Sequence, residues 1–256
     1  MKDKKIVLLG GKDISTNIVF NYLNDEFGIY IAIIEDAPSR KKMLIRRIKR
    51  LGFFRVIGQL VFQLCVIPLL GFLSKERKKE IIESSSMKTI SIPEEKKINV
   101  SSVNSTQTIE ILRNINPDLI IVNGTRIILK KVLESVQCRF INTHAGITPK
   151  YRGVHGAYWA LVNRDSKNCG VTVHFVDEGI DTGNIIYQDN VIPTPKDNFT
   201  TYPLLQLAKG VKILNKAIVD YFNNTIKIQS SGLESHLWYH PTLFQYLYYR
   251  IKNNVK

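Results

Sequence analysis

Three short, nearly continuous apolar runs constrain this chain most: KIVLL at residues 5–9, IYIAII at 29–34 and DLIIV at 118–122. A strand that is apolar at every position, not at every second one, is buried on both faces. The segments between them carry apolar residues at helical spacing, TNIVFNYLND after the first run and TQTIEILRNI before the third. Such strands alternating with helices predict a doubly wound, mostly parallel α/β sheet, with a further strand at 139–142.

Beyond residue 142 the pattern changes. A helix is expected at 155–162. Apolar and polar residues then alternate around Val171, Val173 and Phe175, and again before Ile192, which predicts two antiparallel strands joined by an Asp- and Gly-rich segment. A long helix is expected at 200–222. The aromatic end, HLWYHPTLFQYLYYRIKNNVK, is read as a final helix packed on the body with a frayed tail. Residues 38–87 interrupt the sheet pattern. They open with SRKKMLIRRIKR, continue through the apolar LGFFRVIGQLVFQLCVIPLLGFL and close with SKERKKEIIESSSM, so they are read as a helical insertion.

A chain of 256 residues that is 44% hydrophobic can bury a sizeable core and is not a disordered polyelectrolyte. Cys65, Cys138 and Cys169 are scattered without CxxC spacing, which fits neither a zinc site nor a disulfide framework and suits a reducing cytoplasm. The start, MKDKKIVLLGG, is a first strand, not a signal peptide, because its apolar run is short and ends in glycine. The net charge of +14 asks for a polyanionic partner: nucleic acid, an anionic membrane face or a phosphorylated substrate.

The chemistry-bearing stretch is FINTHAGITPKYRGVHG, where a strand breaks into glycine, proline and basic residues. In an open α/β sheet, ligands bind beyond the carboxyl ends of the strands. Asn142 and His144, two residues apart, point the same way if the strand stays extended. An amide donor beside an imidazole can hold a carbonyl oxygen while a proton moves, as acyl transfer requires. A carboxylate to orient the imidazole is available in DEGIDTG, which offers Asp177, Glu178 and Asp181.

NTHAGITPKYRG followed by VTVHFVDEGIDTGNII resembles the paired signature of the formyltransferases that use 10-formyltetrahydrofolate. That group includes glycinamide ribonucleotide transformylase, methionyl-tRNA formyltransferase, formyltetrahydrofolate deformylase and the nucleotide-sugar N-formyltransferases. The resemblance covers about residues 115–195 and is absent across the insertion. It implies a Rossmann-like formyltransferase domain at 1–200 containing the 38–87 insertion, and a C-terminal helical extension at 201–256. By the same resemblance Asn142 holds the formyl oxygen, His144 takes part in proton transfer and Asp181 orients or charges it. The pterin pocket falls on a loop with Asn123, Gly124, Thr125, Arg126, Ile127 and Ile128, and on the acidic turn with Val176, Asp177, Glu178 and Gly179. No metal is implied.

Gly10, Gly11 and Lys12, in GGKDIS, and Arg152 are candidates for contact with the acceptor, although GGKDIS lacks the spacing of a dinucleotide or Walker motif and serves equally as a tight turn. His174 is read as a support behind the site and His155 as a packing or capping residue. The acceptor is expected to be the primary amine of a nucleotide-linked amino sugar used in surface-polysaccharide synthesis, with no nucleic acid partner. This follows from the short stretch after Pro195, from the insertion and from the TPKYRG form of the loop. Glycinamide ribonucleotide and methionyl-tRNA are the alternatives; the deformylase is disfavoured because no regulatory domain precedes KIVLLGG. A catalytically silent basic protein that binds membranes is the reading from a different class. The insertion either lies on an anionic membrane surface through residues 39–73 or packs on the sheet or on a second subunit of a homodimer. The expected location is cytoplasmic, with membrane association in the first case.

Overall fold

The computed structural model describes residues 3–256. In chain order its elements are β1 (Ile6–Gly11), α1 (Ile14–Phe27), β2 (Ile31–Glu35), α2 (Arg40–Leu51), α3 (Phe53–Val61), a π turn (Phe62–Val66), α4 (Ile67–Leu73), α5 (Lys75–Ser84), β3 (Lys97–Val100), α6 (Thr106–Ile115) and β4 (Leu119–Asn123). There follow α7 (Lys130–Leu133), β5 (Arg139–His144), β6 (Arg152–Gly153), α8 (Gly156–Val162), β7 (Gly170–Phe175), β8 (Ile185–Asn190), α9 (Tyr202–Phe222), β9 (Leu237–Trp238) and α10 (Leu243–Asn253). Among the described residues, seven strands form one sheet in the order β3-β2-β1-β4-β5-β7-β8. The first five run parallel; β7 pairs antiparallel with β5, and β8 pairs antiparallel with β7.

The all-apolar character of β1 has the expected cause. Ile6 and Leu8 enter the core on one face of the sheet, under α1 and α9, while Val7 and Leu9 enter the core on the other, with Leu112 of α6. Because successive side chains of a strand alternate, a strand covered on both faces must be apolar throughout. β3 escaped the sequence reading for the converse reason. It is the edge strand, its residues KINV bury only Val100, and it offers no apolar run. The β6–β9 pair is likewise too short, at two residues each, to leave a pattern.

The 38–87 segment behaves as two parts. α5 is built into the body: Arg77 forks onto the buried Asp197 through Nε at 2.8 Å and Nη2 at 3.0 Å, and Ile81 and Met87 enter the same core as β1. α2, in contrast, has no buried residue. The C-terminal residues are not frayed: Val255 is buried with Tyr246 and Phe62, and Lys256 Nζ donates to the Pro195 carbonyl at 2.7 Å. α10 begins at a capping box in which Thr242 and Gln245 exchange hydrogen bonds, satisfying two N–H groups left over at the helix start.

Candidate active site

The chain lays β1, β2 and β3 outward in one direction and then returns to set β4 on the other side of β1, which makes the β1/β4 boundary a topological switch point. There the Gly11 and Gly124 backbones come so close that a Cβ on Gly11 would lie 2.5 Å from the Gly124 carbonyl oxygen. One strand further on, β5 stays extended through His144, two residues beyond the expectation, because β7 pairs with it antiparallel, Asn142 opposite His174 and His144 opposite Thr172. Asn142 and His144 therefore share a face.

Asp181 reaches this face from the loop after β7, with a left-handed backbone (φ 51°), an unfavourable conformation for a residue with a side chain. Three contacts hold it there. Its Oδ2 accepts from the Gly153 N–H at 3.0 Å and lies 3.3 Å from His144 Nδ1, and its Oδ1 lies 3.8 Å from His174 Nε2. The loop itself is braced by Asp177, which accepts from Gly179 N at 3.0 Å and from Thr182 Oγ1 at 2.7 Å. Of the three carboxylates in DEGIDTG, Asp181 thus turns inward, Asp177 organises the turn, and Glu178 faces outward to Lys130 at 3.1 Å.

His144 is 6% exposed: Nε2 lies 2.7 Å from the Tyr151 carbonyl, which only accepts, so Nε2 carries the proton and Nδ1 the lone pair. Gly146 makes this contact feasible, since a Cβ there would lie 2.2 Å from the Tyr151 oxygen and 2.8 Å from His144 Nε2. Burial lowers the His144 pKa, against the opposing pull of the Asp181 charge and the Tyr151 carbonyl. Burial also pushes the Asp181 carboxyl up, but the nearby His174 and His144 rings and the Gly153 N–H outweigh it and hold the group at about 2. The carboxylate is ionised at neutral pH and faces an imidazole nitrogen that has room for one more proton.

These groups line a cavity of about 510 Å³ together with Gly124, Thr125, Arg126, Ile127 and Ile128 from the loop after β4, Val176, Asp177 and Gly179 from the acidic turn, and Pro203 and Gln206 of α9. Other expected site residues are engaged elsewhere. The Asn123 amide donates to Ser15 Oγ at 2.8 Å and Thr16 Oγ1 at 3.1 Å, tying β4 to α1. Arg126 borders the cavity, while its backbone N–H donates to Glu35 Oε1 at 2.6 Å and its guanidinium Nε pairs with Glu35 Oε2 at 2.6 Å. Arg152 donates through Nη1 to the Ile180 carbonyl at 3.1 Å, so it braces the Asp181 loop.

Gly11 and Lys12 border a separate cavity of about 280 Å³ with Thr16, Asn17, Lys97 and Asn99. Gly10 is explained by packing, since a Cβ would lie 2.4 Å from Thr16 Cγ2. The N–H groups of Ser15 and Thr16 at the start of α1 are already capped by Asp13, and Lys12 pairs with Asp36 at 2.6 Å, so GGKDIS is a tight turn closed by its own carboxylate.

His174 supports the site from behind, with Nε2 3.2 Å from the Asn142 amide nitrogen and Nδ1 2.7 Å from the Phe175 carbonyl. His155 borders the cavity and packs on Phe199, its ring bonded to His240 at 2.9 Å. The Gly153 N–H and the Tyr151 carbonyl were not foreseen. Both are backbone groups, although the closely spaced glycines of HAG and YRG mark the approach they require. Lys150 pairs with Asp165 at 2.6 Å, away from the cavity.

A doubly wound sheet with an amide, an imidazole and a carboxylate gathered at a strand's carboxyl end defines an α/β protein with a site built for polar ligand chemistry. The formyl transferase family model matches residues 72–226, and the chain belongs to that family. The methionyl-tRNA formyltransferase of Finegoldia magna is 32% identical over 128 residues, which is 48% of this chain and 40% of that one. The chain thus spans less than half the length of this curated relative. Among solved structures, the phosphoribosylglycinamide formyltransferase of Anaplasma phagocytophilum superposes with a TM-score of 0.57 at 17% identity, covering 91% of this chain and 98% of that one. An N-formyltransferase of Helicobacter canadensis, in complex with folinic acid and dTDP-3-aminofucose, superposes with a TM-score of 0.52 at 18% identity, covering 91% and 70%. Both share the fold.

Proposed function

We propose that the protein transfers a formyl group from 10-formyltetrahydrofolate to a primary amine, and that this amine belongs to a nucleotide-linked amino sugar. The observation that carries the first part is the gathering of Asn142, His144 and Asp181 in one cavity, within the stretch matched by the family model. The cavity suits a flat heteroaromatic ring: Gly124 and Gly179 bring bare backbone to its wall, and Ile127, Ile128 and Val176 bring apolar surface. When bound, 10-formyltetrahydrofolate supplies the formyl carbon and departs as tetrahydrofolate.

The roles of the chain's own residues follow from their hydrogen-bond capacity. An amide nitrogen has two N–H donors, and with one of them directed at His174 the Asn142 amide retains the other for an oxygen that gains negative charge. His144 keeps its Nε2 proton on the Tyr151 carbonyl and accepts a second proton at Nδ1 as the attacking amine sheds it. Asp181, already ionised, stabilises the resulting imidazolium across 3.3 Å, and the burial of the pair strengthens that attraction.

The acceptor reading is supported by the Helicobacter canadensis protein, which holds an amino sugar nucleotide on the same fold. A second reading, formylation of charged initiator tRNA, is supported by the curated sequence relatives and by the net charge of +14. Purified protein offered 10-formyltetrahydrofolate with amino sugar nucleotides, glycinamide ribonucleotide and methionyl-tRNA in parallel separates them. Preferential formylation of the sugar is expected; preference for either other acceptor overturns that choice, and absence of tetrahydrofolate release with all three overturns formyl transfer itself.

A further inference from the structure

The continuous helical rod Phe53–Leu73 is divided lengthwise. One row is sealed to the body: Val56, Gln59 and Phe62 are fully buried, the Phe62 ring lies 4.9 Å from Phe199 and 5.0 Å from Tyr246, and Gln59 Nε2 donates to the His240 carbonyl at 2.7 Å. The opposite row is open, with Phe54 88%, Leu64 74% and Phe72 63% exposed. By length and composition alone the rod could cross a bilayer. Crossing would pull Phe62 from its aromatic cluster and strip Gln59 of its acceptor, leaving a buried amide unsatisfied. A rod with one face sealed to protein can instead lie along a surface.

α2, beside it, is entirely cationic in its charge. Residues 40–55 hold eight Lys or Arg, and no Asp or Glu occurs between Asp36 and Glu76. Among the described residues no carboxylate pairs with them; Arg47 bonds to Gln59 instead, and Arg50 and Arg55 rest over the Tyr239 ring at 5.1 and 5.9 Å. A second copy of the chain is a poor occupant for this face, because an isologous contact would bring two such cationic helices together.

We propose that α2 and the open face of the rod seat the protein on the surface of an anionic phospholipid bilayer. The α2 cations meet headgroup phosphates, and Phe54, Leu64 and Phe72 enter the acyl boundary. This inference is independent of the acceptor's identity. The test is cosedimentation and flotation of the whole protein with vesicles of phosphatidylcholine alone or mixed with phosphatidylglycerol, alongside sedimentation velocity without lipid. Binding is expected to the anionic vesicles only, to weaken with salt, and to fall about fivefold per charge removed in a Lys41→Ser, Lys42→Ser, Lys49→Ser series. Phe54→Ser with Phe72→Ser should lower it further, with melting temperature unchanged because both side chains are exposed. Equal binding to both vesicles, no binding to either, or a dimer in lipid-free solution that Phe54→Ser dissociates would overturn the proposal.

Discussion

His144 Nδ1 lies 3.3 Å from Asp181 Oδ2, while its other nitrogen is committed to the Tyr151 carbonyl at 2.7 Å. With Nε2 so occupied, Nδ1, the nitrogen facing the Asp181 carboxylate, is the position left to take up a proton.

Loss of either partner should therefore remove proton transfer and spare the fold. His144→Asn and Asp181→Asn are each expected to lower turnover by about a hundredfold or more while folate binding persists. Single-turnover kinetics and equilibrium titration with a folate analogue check this. Near-normal turnover in His144→Asn would remove the assignment.

The His144 pKa should lie below the usual 6.5, and the opposing charge of Asp181 keeps it from falling further. In Asp181→Asn that support disappears, so the pKa should fall again. Following the His144 ring resonances by NMR against pH gives both values, and an upward shift in the variant would contradict the geometry.

Acid should destabilise the protein well above the carboxylate range. Burial holds His155 at about 3, with the His240 charge adding to the effect, and holds His240 at about 4, with Arg47 adding to it. Both are depressed bases: the unfolded chain takes up protons near pH 6.5 while the folded chain refuses them. The stability they contribute is complete above 6.5 and is lost as pH falls toward 4 and then 3. Melting temperature should decline through this window, and His155→Phe with His240→Phe should flatten the decline. Some slope should remain, because His144 is depressed in the same direction.

Arg77→Ala should be among the most damaging changes outside the cavity. The Asp197 side chain it forks onto has no exposure, and removing the guanidinium leaves that carboxylate buried, retaining only its hydrogen bonds from Thr194 and Thr201. A cost of about 3–5 kcal/mol is expected in urea unfolding. A cost under about 1 kcal/mol would mean that α5 is not joined to the body as described.

The strands of the centre were legible because burial on both faces keeps all but their carboxyl ends apolar, as in β1, β2 and β4. Asn142, His144 and Asp181 were legible as residues because their types and order carry a family signature. Residue type alone does not fix which groups GGKDIS and Arg152 face. A lysine or arginine in a loop has the same letter whether it faces a ligand or a neighbouring carbonyl, and the Arg152 guanidinium was claimed by Ile180.

The sequence by itself therefore determined the layered sheet, the order of the asparagine, histidine and aspartate that carry the family signature and the unbroken positive charge of residues 40–55, since each is a property of residue type and local spacing. Only the tertiary structure decided which nitrogen of His144 meets the Tyr151 carbonyl, which backbone groups hold Asp181, and that one face of the apolar rod is sealed by Phe199 and Tyr246. Those outcomes depend on backbone groups and on residues far apart in the chain, and the Tyr151 carbonyl and the Gly153 N–H are donors and acceptors that every sequence has at nearly every position.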